Sequence, residues 1–403
     1  MNPHKKFAVA GFRAGAVMAG VRYPGRLDLG LIAADRPVAA AGIFTTNQVK
    51  APSVVLDARR LRSGLAQAVL ANSGNANTCV GRRGMADTVS CTDALARALS
   101  IKPGLVLMSS TGVIGEPLPA VRIKAALPGL VKQLRPDGLT DFARAIMTTD
   151  TRMKIAQRSV ALGRGRVKIA ALGKGAGMIM PSLATMLVYI MTDAAIAAPA
   201  LGRMIAAAAR DSFNALTVDG DTSTSDSVIM MASGESGVRA EGSASARLGF
   251  QDALNDLCLE LTVALAADGE GATKWFKICV TGAKTGAEAD AVARRVANSP
   301  LVKTAFHAAD PNWGRVMMAV GSAGVKVVPD RVDVDFADGK GRKVSVVKNG
   351  ALSPLYSEAR ARKVLAGTGF GVNINLKRGK AGRVIYTCDL SAAYVKINAE
   401  YRT

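Results

Sequence analysis

The sequence predicts a large α/β protein with helices and sheets stacked in layers, and three observations lead to that class. Strand-like and helix-like segments are mixed along 403 residues, a length that suits two domains or one large α/β core. Apolar residues make up 49% of the chain but aromatics only 4%, so the core is built chiefly from Ala, Val, Leu and Ile. The 41 glycines mark many tight turns between the segments. Charged residues at 21%, with apolar runs recurring throughout, set the chain apart from disordered sequences.

Short apolar runs predict strands at 27–34 (LDLGLIAA), 66–72 (AQAVLAN), 104–110 (GLVLMSS), 166–173 (RVKIAALG), 371–376 (GVNINL) and 392–398 (AAYVKIN). Helices are predicted at 91–100 (CTDALARALS), 137–147 (DGLTDFARAIM), 197–214 (AAPALGRMIAAAARDSFN), 247–268 (RLGFQDALNDLCLELTVALAAD) and 286–306 (GAEADAVARRVANSPLVKTAF). This order is not the regular alternation of a βαβ array. Two glycine-rich stretches fail as nucleotide motifs. GRRG (81–84) has no dinucleotide fingerprint around it, and GKGAG (173–177) lacks the spacing and the Lys-Ser/Thr pair of a phosphate loop. Their glycines permit sharp turns or a close approach of backbone to a ligand.

Composition narrows the chemistry. Cys79, Cys91, Cys258, Cys279 and Cys388 form no CxxC pair, and an odd count in a large chain points to a reducing, cytoplasmic compartment. Only His4 and His307 are present, which rules out a multi-histidine metal site and leaves little room for Ser-His-Asp catalysis. Hydroxyls, amines and carboxylates are therefore expected to carry the reaction. No segment reaches the roughly 18 uncharged apolar residues of a membrane span, and Arg13 interrupts the apolar start, so no signal peptide is expected. The net charge of +21 is concentrated early: 26 Lys/Arg face 9 Asp/Glu up to Ala184, against 26 and 22 beyond it. Such a balance suits anionic substrates or nucleic acid. The basic residues are dispersed, without aromatic interleaving, so nucleic-acid binding is not expected.

In GAGMIMPSLATMLVYI (175–190), a glycine-rich turn leads into an apolar run with Thr185 in its middle. A buried threonine can simply satisfy its hydroxyl on a backbone carbonyl. The alternative is chemical. If the Ala184–Thr185 bond were cut, Thr185 would carry a free α-amine that titrates near neutrality and can take its own hydroxyl proton without a histidine.

An ordered series of motifs bears on that choice: GFRAGAVMAG (11–20), AGIFTTNQVKAPSV (41–54), NSGNANTC (72–79), SSTGVIGEPLP (109–119), IMTTD (146–150), GMIMPSLATML (177–187), VDGDTSTSDS (218–227), DGEGATK (268–274), ADPNWGR (309–315) and YVKINAEYRT (394–403). With these motifs the chain resembles, over nearly its whole length, the ornithine acetyltransferase family, the glutamate N-acetyltransferases of arginine synthesis. The resemblance implies a self-processing layered helix-sheet sandwich with interleaved chains: an α chain of residues 1–184 and a β chain from 185 to 403, cut between Ala184 and Thr185. It implies Thr185 as nucleophile and Thr111 and Gly112 as the oxyanion-hole pair. Thr148, Lys174, Thr185, Glu270, Asn398 and Thr403 are the implied substrate contacts, with Thr149 the alternative to Thr148. The implied reaction moves acetyl from N2-acetylornithine to glutamate through an acetyl-threonine, in a ping-pong cycle. No cofactor or metal is implied; acetyl-CoA is a donor for some members of the family. The implied assembly is two α and two β chains.

Three departures stand out: Ser182-Leu183 where the family commonly has Asn-Met, Thr78 and Val80 in place of Ala and Thr, and HAAD (307–310) before PNWGR. None removes a residue assigned to chemistry. Asp310, Asn312 and Trp313 read as turn and interface architecture, and Asp219, Asp221 and Asp226 as carboxylates that fix loops by local hydrogen bonds. Two other functional classes compete: a self-processing amidase or aminopeptidase in which water takes the acyl group, and a basic RNA-binding module that needs no free Thr185.

Overall fold

A computed structural model describes residues 7–180 and 186–400 of the chain. Among these residues the larger sheet contains eight strands: β1 (Phe12–Val17), β2 (Leu29–Phe44), β3 (Leu65–Asn72), β4 (Val106–Ser110), β5 (Lys154–Leu162), β6 (Gly165–Lys174), β7 (Leu187–Thr192) and β8 (Ser227–Ala232). Its order is β4-β3-β2-β8-β7-β6-β5, with β1 beside β2. The smaller sheet contains β9 (Trp275–Ala283), β10 (Asp333–Asp338), β11 (Lys343–Lys348), β12 (Ala351–Leu352), β13 (Gly369–Asn375) and β14 (Ala381–Cys388), in the order β12-β11-β10-β13-β9-β14. The helices are α1 (Pro52–Arg60), α2 (Gly81–Leu99), α3 (Ala120–Lys132), α4 (Leu139–Ala145), α5 (Ala198–Arg210), α6 (Ala244–Ala267), α7 (Gly286–Ala297), α8 (Pro300–His307), α9 (Trp313–Gly321), α10 (Glu358–Leu365) and α11 (Ala392–Glu400).

The central strands of the large sheet are buried on both faces. Val167, Ile169, Val188, Ile190, Val228 and Met230 pack with α5 and α6, whereas Leu172, Tyr189, Met191, Ile229 and Met231 join α4 in the opposite core. This is the period-two alternation of a strand with apolar partners on either side, so the sequence there is an unbroken apolar run. Phe142 of α4 meets Tyr189 of β7 edge to face, 5.0 Å between centroids. Helices α2 and α3 cover Leu29, Leu31, Leu70 and Met108 of β2 to β4. Helix α6 touches β5 and β6 of the large sheet and β14 of the small one, so it links the two sheets. A second core, with Phe276, Phe306, Phe336 and Phe370 at its centre, joins the small sheet to α7 through α10. The α/β layering expected from the sequence is present.

Two elements differ from their sequence expectations. Residues 392–398 form part of helix α11, not a strand. Ser391 accepts from the Ala393 N–H at 3.2 Å and starts that helix, and Val395 is exposed. The single helix expected over 286–306 is two, α7 and α8. Pro300 disfavours helical backbone at Ser299, whose hydroxyl instead accepts from the Val302 N–H at 3.4 Å and caps α8. GRRG supplies the first turn of α2. No helix among the described residues is long and apolar enough to cross a membrane.

Asp57 of α1 is fully buried and accepts the Met108 N–H at 2.9 Å. Burial holds its carboxyl well above the usual carboxylate range, against that hydrogen bond and the nearby Arg60. A raised folded-state pKa contributes stability that is complete below the unfolded value and is lost as pH rises toward the folded value. Asp57→Asn keeps the shape and the acceptor. It is expected to match the parent near pH 4 and to gain on it by about 1.4 kcal/mol per pH unit above that, until Asp57 ionises in the fold. Urea midpoints across pH check this; a pH-independent difference counts against a neutral Asp57.

Candidate active site

A cavity of about 150 Å³ opens where strand ends and loops of the large sheet converge. Thr111 and Gly112 follow β4, Thr148 and Thr149 lie between α4 and β5, and Lys174 ends β6. Glu270 lies in the turn after α6, and Asn398 is on α11. Seven positions that the resemblance assigned to the oxyanion hole or to substrate, Thr149 as the alternative included, thus line one cavity, as do Asp219 and Asp221. Ala184, Thr185 and Thr403 lie outside the described residues. The described chain resumes at Met186, whose N–H donates to Asp226 Oδ1 at 3.0 Å and whose carbonyl accepts from the Ser227 N–H at 3.1 Å.

Gly112 has φ +130°, and a Cβ there would sit 2.3 Å from the Gly74 carbonyl carbon and 2.5 Å from the Asn75 nitrogen. Only glycine lets these two backbone segments meet. The Thr111 N–H donates to the Asn72 carbonyl at 3.1 Å, so the donor left to Thr111 is its hydroxyl. Among the described residues the Gly112 N–H donates no backbone hydrogen bond. The buried NSGNANT stretch (72–78) underpins this turn. Ser110 donates to Asn72 Oδ1 at 2.8 Å, Asn72 Nδ2 donates to the Asn75 carbonyl at 2.9 Å, and Asn75 Nδ2 donates to the Glu116 and Pro117 carbonyls at 3.2 and 3.1 Å. These bonds leave little freedom to the loop that presents the two donors.

Lys174 is buried, and its ammonium donates to Thr148 Oγ1 at 2.6 Å and to Thr111 Oγ1 at 3.4 Å. Asp150 Oδ2 lies 3.8 Å from it. Burial lowers the Lys174 pKa from its ordinary value, and Asp150 opposes that shift. Burial alone would raise the Asp150 carboxyl, but Lys174, Lys154 and the Gly175 N–H together hold it at about 2. Thr149 also lines the cavity, while the bond to Lys174 belongs to Thr148.

Across the cavity, Asn398 Nδ2 donates to Glu270 Oε2 at 2.8 Å. The Glu270 N–H donates to the Ala176 carbonyl at 2.9 Å. A Cβ on Gly177 would lie 2.3 Å from Glu270 Oε2, so the glycine makes room for that carboxylate. Helix α11 stacks Tyr394 and Asn398 one turn apart on the same face, whereas a strand would separate them by about 13 Å. The Tyr394 hydroxyl donates to Asp219 Oδ2 at 3.3 Å. Asp219 itself accepts the Met178 and Ile179 N–H groups at 2.6 and 2.9 Å, so it fixes the turn after β6 as expected. Thr45 donates to the Ser223 carbonyl at 2.7 Å and Asn47 Nδ2 to the Thr222 carbonyl at 2.9 Å, so the TTN triplet holds the 222–225 loop in the cavity wall.

Asp150, Lys154, Asp268 and Tyr394 were not singled out from the sequence. Asp150 and Asp268 stood inside quoted motifs, IMTTD and DGEGATK, but an acid in a glycine- or threonine-rich loop carries no sign of burial. His307, one of the two histidines, lies away from the cavity lining and faces Asp389 Oδ2 at 2.7 Å. Among the described residues no group of three or more His, Cys, Asp or Glu side chains is arranged to hold a metal ion.

Comparison with known proteins adds a family. A model of the ArgJ family matches residues 13–403. The arginine biosynthesis bifunctional protein ArgJ of Geobacter sulfurreducens is 47% identical over 397 residues, spanning 98% of this chain and 100% of the relative. The protein of the same name from Desulfotalea psychrophila is 46% identical over 396 residues, with the same coverage. The crystal structure of an arginine biosynthesis bifunctional protein ArgJ from Bacillus halodurans is 37% identical, covering 53% of this chain and 98% of its own, with a TM-score of 0.48.

Proposed function

Because the chain belongs to the ArgJ family, we propose that it moves acetyl from N2-acetylornithine to glutamate by a ping-pong cycle through an acetylated Thr185. The chain is an N-acyltransferase activated by autoproteolysis, with the glutamate N-acetyltransferase and ornithine acetyltransferase activity of that family. The observation that supports the finer reading is the cavity itself. It gathers a buried cation, Lys174, an acid, Glu270, and the Thr111–Gly112 turn in one lining, and Met186, where the described chain resumes, bonds to Asp226, the neighbour of Ser225 in that lining.

On this reading the Thr185 hydroxyl first attacks the Ala184 carbonyl, the acyl group shifts from nitrogen to oxygen, and water hydrolyses the ester. Residues 1–184 and 185–403 are then separate chains, two of each in the assembly, in a cytoplasmic setting. The freed α-amine takes the hydroxyl proton as Thr185 attacks the acetyl carbonyl. The tetrahedral oxyanion is received by the Thr111 hydroxyl and the Gly112 N–H. Collapse breaks the acetyl C–N bond, the proton passes to the departing ornithine amine, and the acetyl ester stays on Thr185. The glutamate amine then repeats the sequence in reverse. Lys174, beside Thr148, meets the substrate carboxylate, and Glu270 with Asn398 receives the ornithine side-chain ammonium; Thr403 completes the contacts. Acetyl-CoA, as an alternative donor, would charge the same threonine.

The test is the purified protein with N2-acetylornithine and glutamate alone. Equal amounts of ornithine and N-acetylglutamate are expected. Release of ornithine with acetate, and no N-acetylglutamate, would replace the transferase reading by a hydrolase.

A further inference from the structure

Lys174 does not stand alone in the wall of the cavity; it ends a row of four buried charges. Lys154 Nζ donates to Asp150 Oδ1 at 2.6 Å and to Asp268 Oδ2 at 2.5 Å, and Asp150 in turn faces Lys174. All four side chains are at most 3% exposed. Asp150 also ties the backbone on both sides of the cation. Its Oδ1 accepts the Gly175 N–H at 2.7 Å and its Oδ2 the Thr148 N–H at 3.0 Å. At the far end Asp268, two residues before Glu270, accepts the Thr151 and Arg152 N–H groups at 3.0 and 3.3 Å. Buried ion pairs seldom add net stability over a well-packed apolar replacement. This one leads directly into the substrate cavity.

We propose that Asp150 is a positioning residue: backed by Lys154 and Asp268, it holds the Lys174 ammonium at Thr148 and thereby sets how the substrate carboxylate is received. The row also joins the segment that carries Lys174 to the one that carries Glu270, across the expected cut at Thr185. The inference rests on the reading of Lys174 as the carboxylate contact.

The charged groups that act on Lys174 are Asp150, Lys154, Glu270 and Asp226, and they do not act alike. Asp150 favours the ammonium, whereas Lys154 disfavours it. Substitutions at these two positions should therefore move Lys174 in opposite directions, which general damage to the fold would not do. The readout is kcat/KM for N-acetylglutamate as acetyl donor to ornithine, measured against pH. That donor has no group titrating in the alkaline range, so the alkaline limb reports the free enzyme.

Asp150→Asn is expected to move the limb down by about one pH unit or more, a tenfold loss per unit at fixed pH above it. Lys154→Met is expected to move it up. Any other pair of shifts overturns the proposal. Should one variant fail to fold, the other decides: a limb that stays in place or moves the opposite way overturns the proposal, and Lys174→Arg, whose guanidinium does not titrate in this range, must lose the limb for it to be assigned to Lys174. If the unsubstituted protein transfers no acetyl at all, the functional reading itself falls, and this inference with it.

Discussion

Thr185→Ala is expected to leave the chain whole and to abolish acetyl transfer, with kcat lower by a factor on the order of 10⁴ or more. The substitution removes the hydroxyl that both steps need. In the first step it attacks the preceding carbonyl, and in the second it carries the acetyl group. The low histidine content, with only His4 and His307 in 403 residues, offers no obvious substitute base or nucleophile. Thr185→Ser is the informative partner. It keeps the hydroxyl and, once cut, the α-amine, so cleavage and transfer should persist at reduced rate. Gel analysis and acetyl-transfer assays on the two variants check this together. Full activity in an uncut Thr185→Ala chain would remove threonine from the mechanism.

Gly112→Ala should be nearly as damaging, through geometry instead of chemistry. Its Cβ would lie 2.3 Å from the Gly74 carbonyl carbon and 2.5 Å from the Asn75 nitrogen, both backbone atoms held by the asparagine network. The backbone φ of +130° is one that alanine rarely adopts. Relief must come from movement of the 111–113 turn, which displaces the Gly112 N–H. Loss of one oxyanion donor costs about 2.7–4 kcal/mol, so kcat is expected to fall by about 10²–10³. Thr111→Val, which removes only a hydroxyl, should fall in the same direction without disturbing the fold. A Gly112→Ala enzyme within twofold of the parent would show that the glycine N–H is not a donor to the oxyanion.

Much of this architecture was legible in the sequence, for reasons particular to each element. Strands β3, β4 and β6 and helices α5 and α6 announce themselves because their apolar runs are bounded by glycine, proline or polar turns. The 392–398 segment misled because YVKI has the alternation of a strand in a chain end that a serine cap turns into a helix. That error matters for the site, since the helix is what places Asn398 against Glu270. Thr111, Gly112, Lys174 and Glu270 were found through ordered motifs, not through periodicity. The row Lys174, Asp150, Lys154, Asp268 went unseen because its members are 24, 4 and 114 residues apart along the chain and become neighbours only in the fold, where burial gives them their meaning.

Whether a freed Thr185 carries the acetyl group can be read directly from the masses of the protein's fragments. Protein purified and incubated with N2-acetylornithine alone is denatured, and the intact masses and N-terminal sequence of its fragments are read. Two fragments are expected, 1–184 and 185–403, the second beginning TMLVYI and carrying one acetyl group that glutamate removes. A chain that stays uncut yet transfers acetyl, or a cut chain acetylated elsewhere than Thr185, would contradict that expectation.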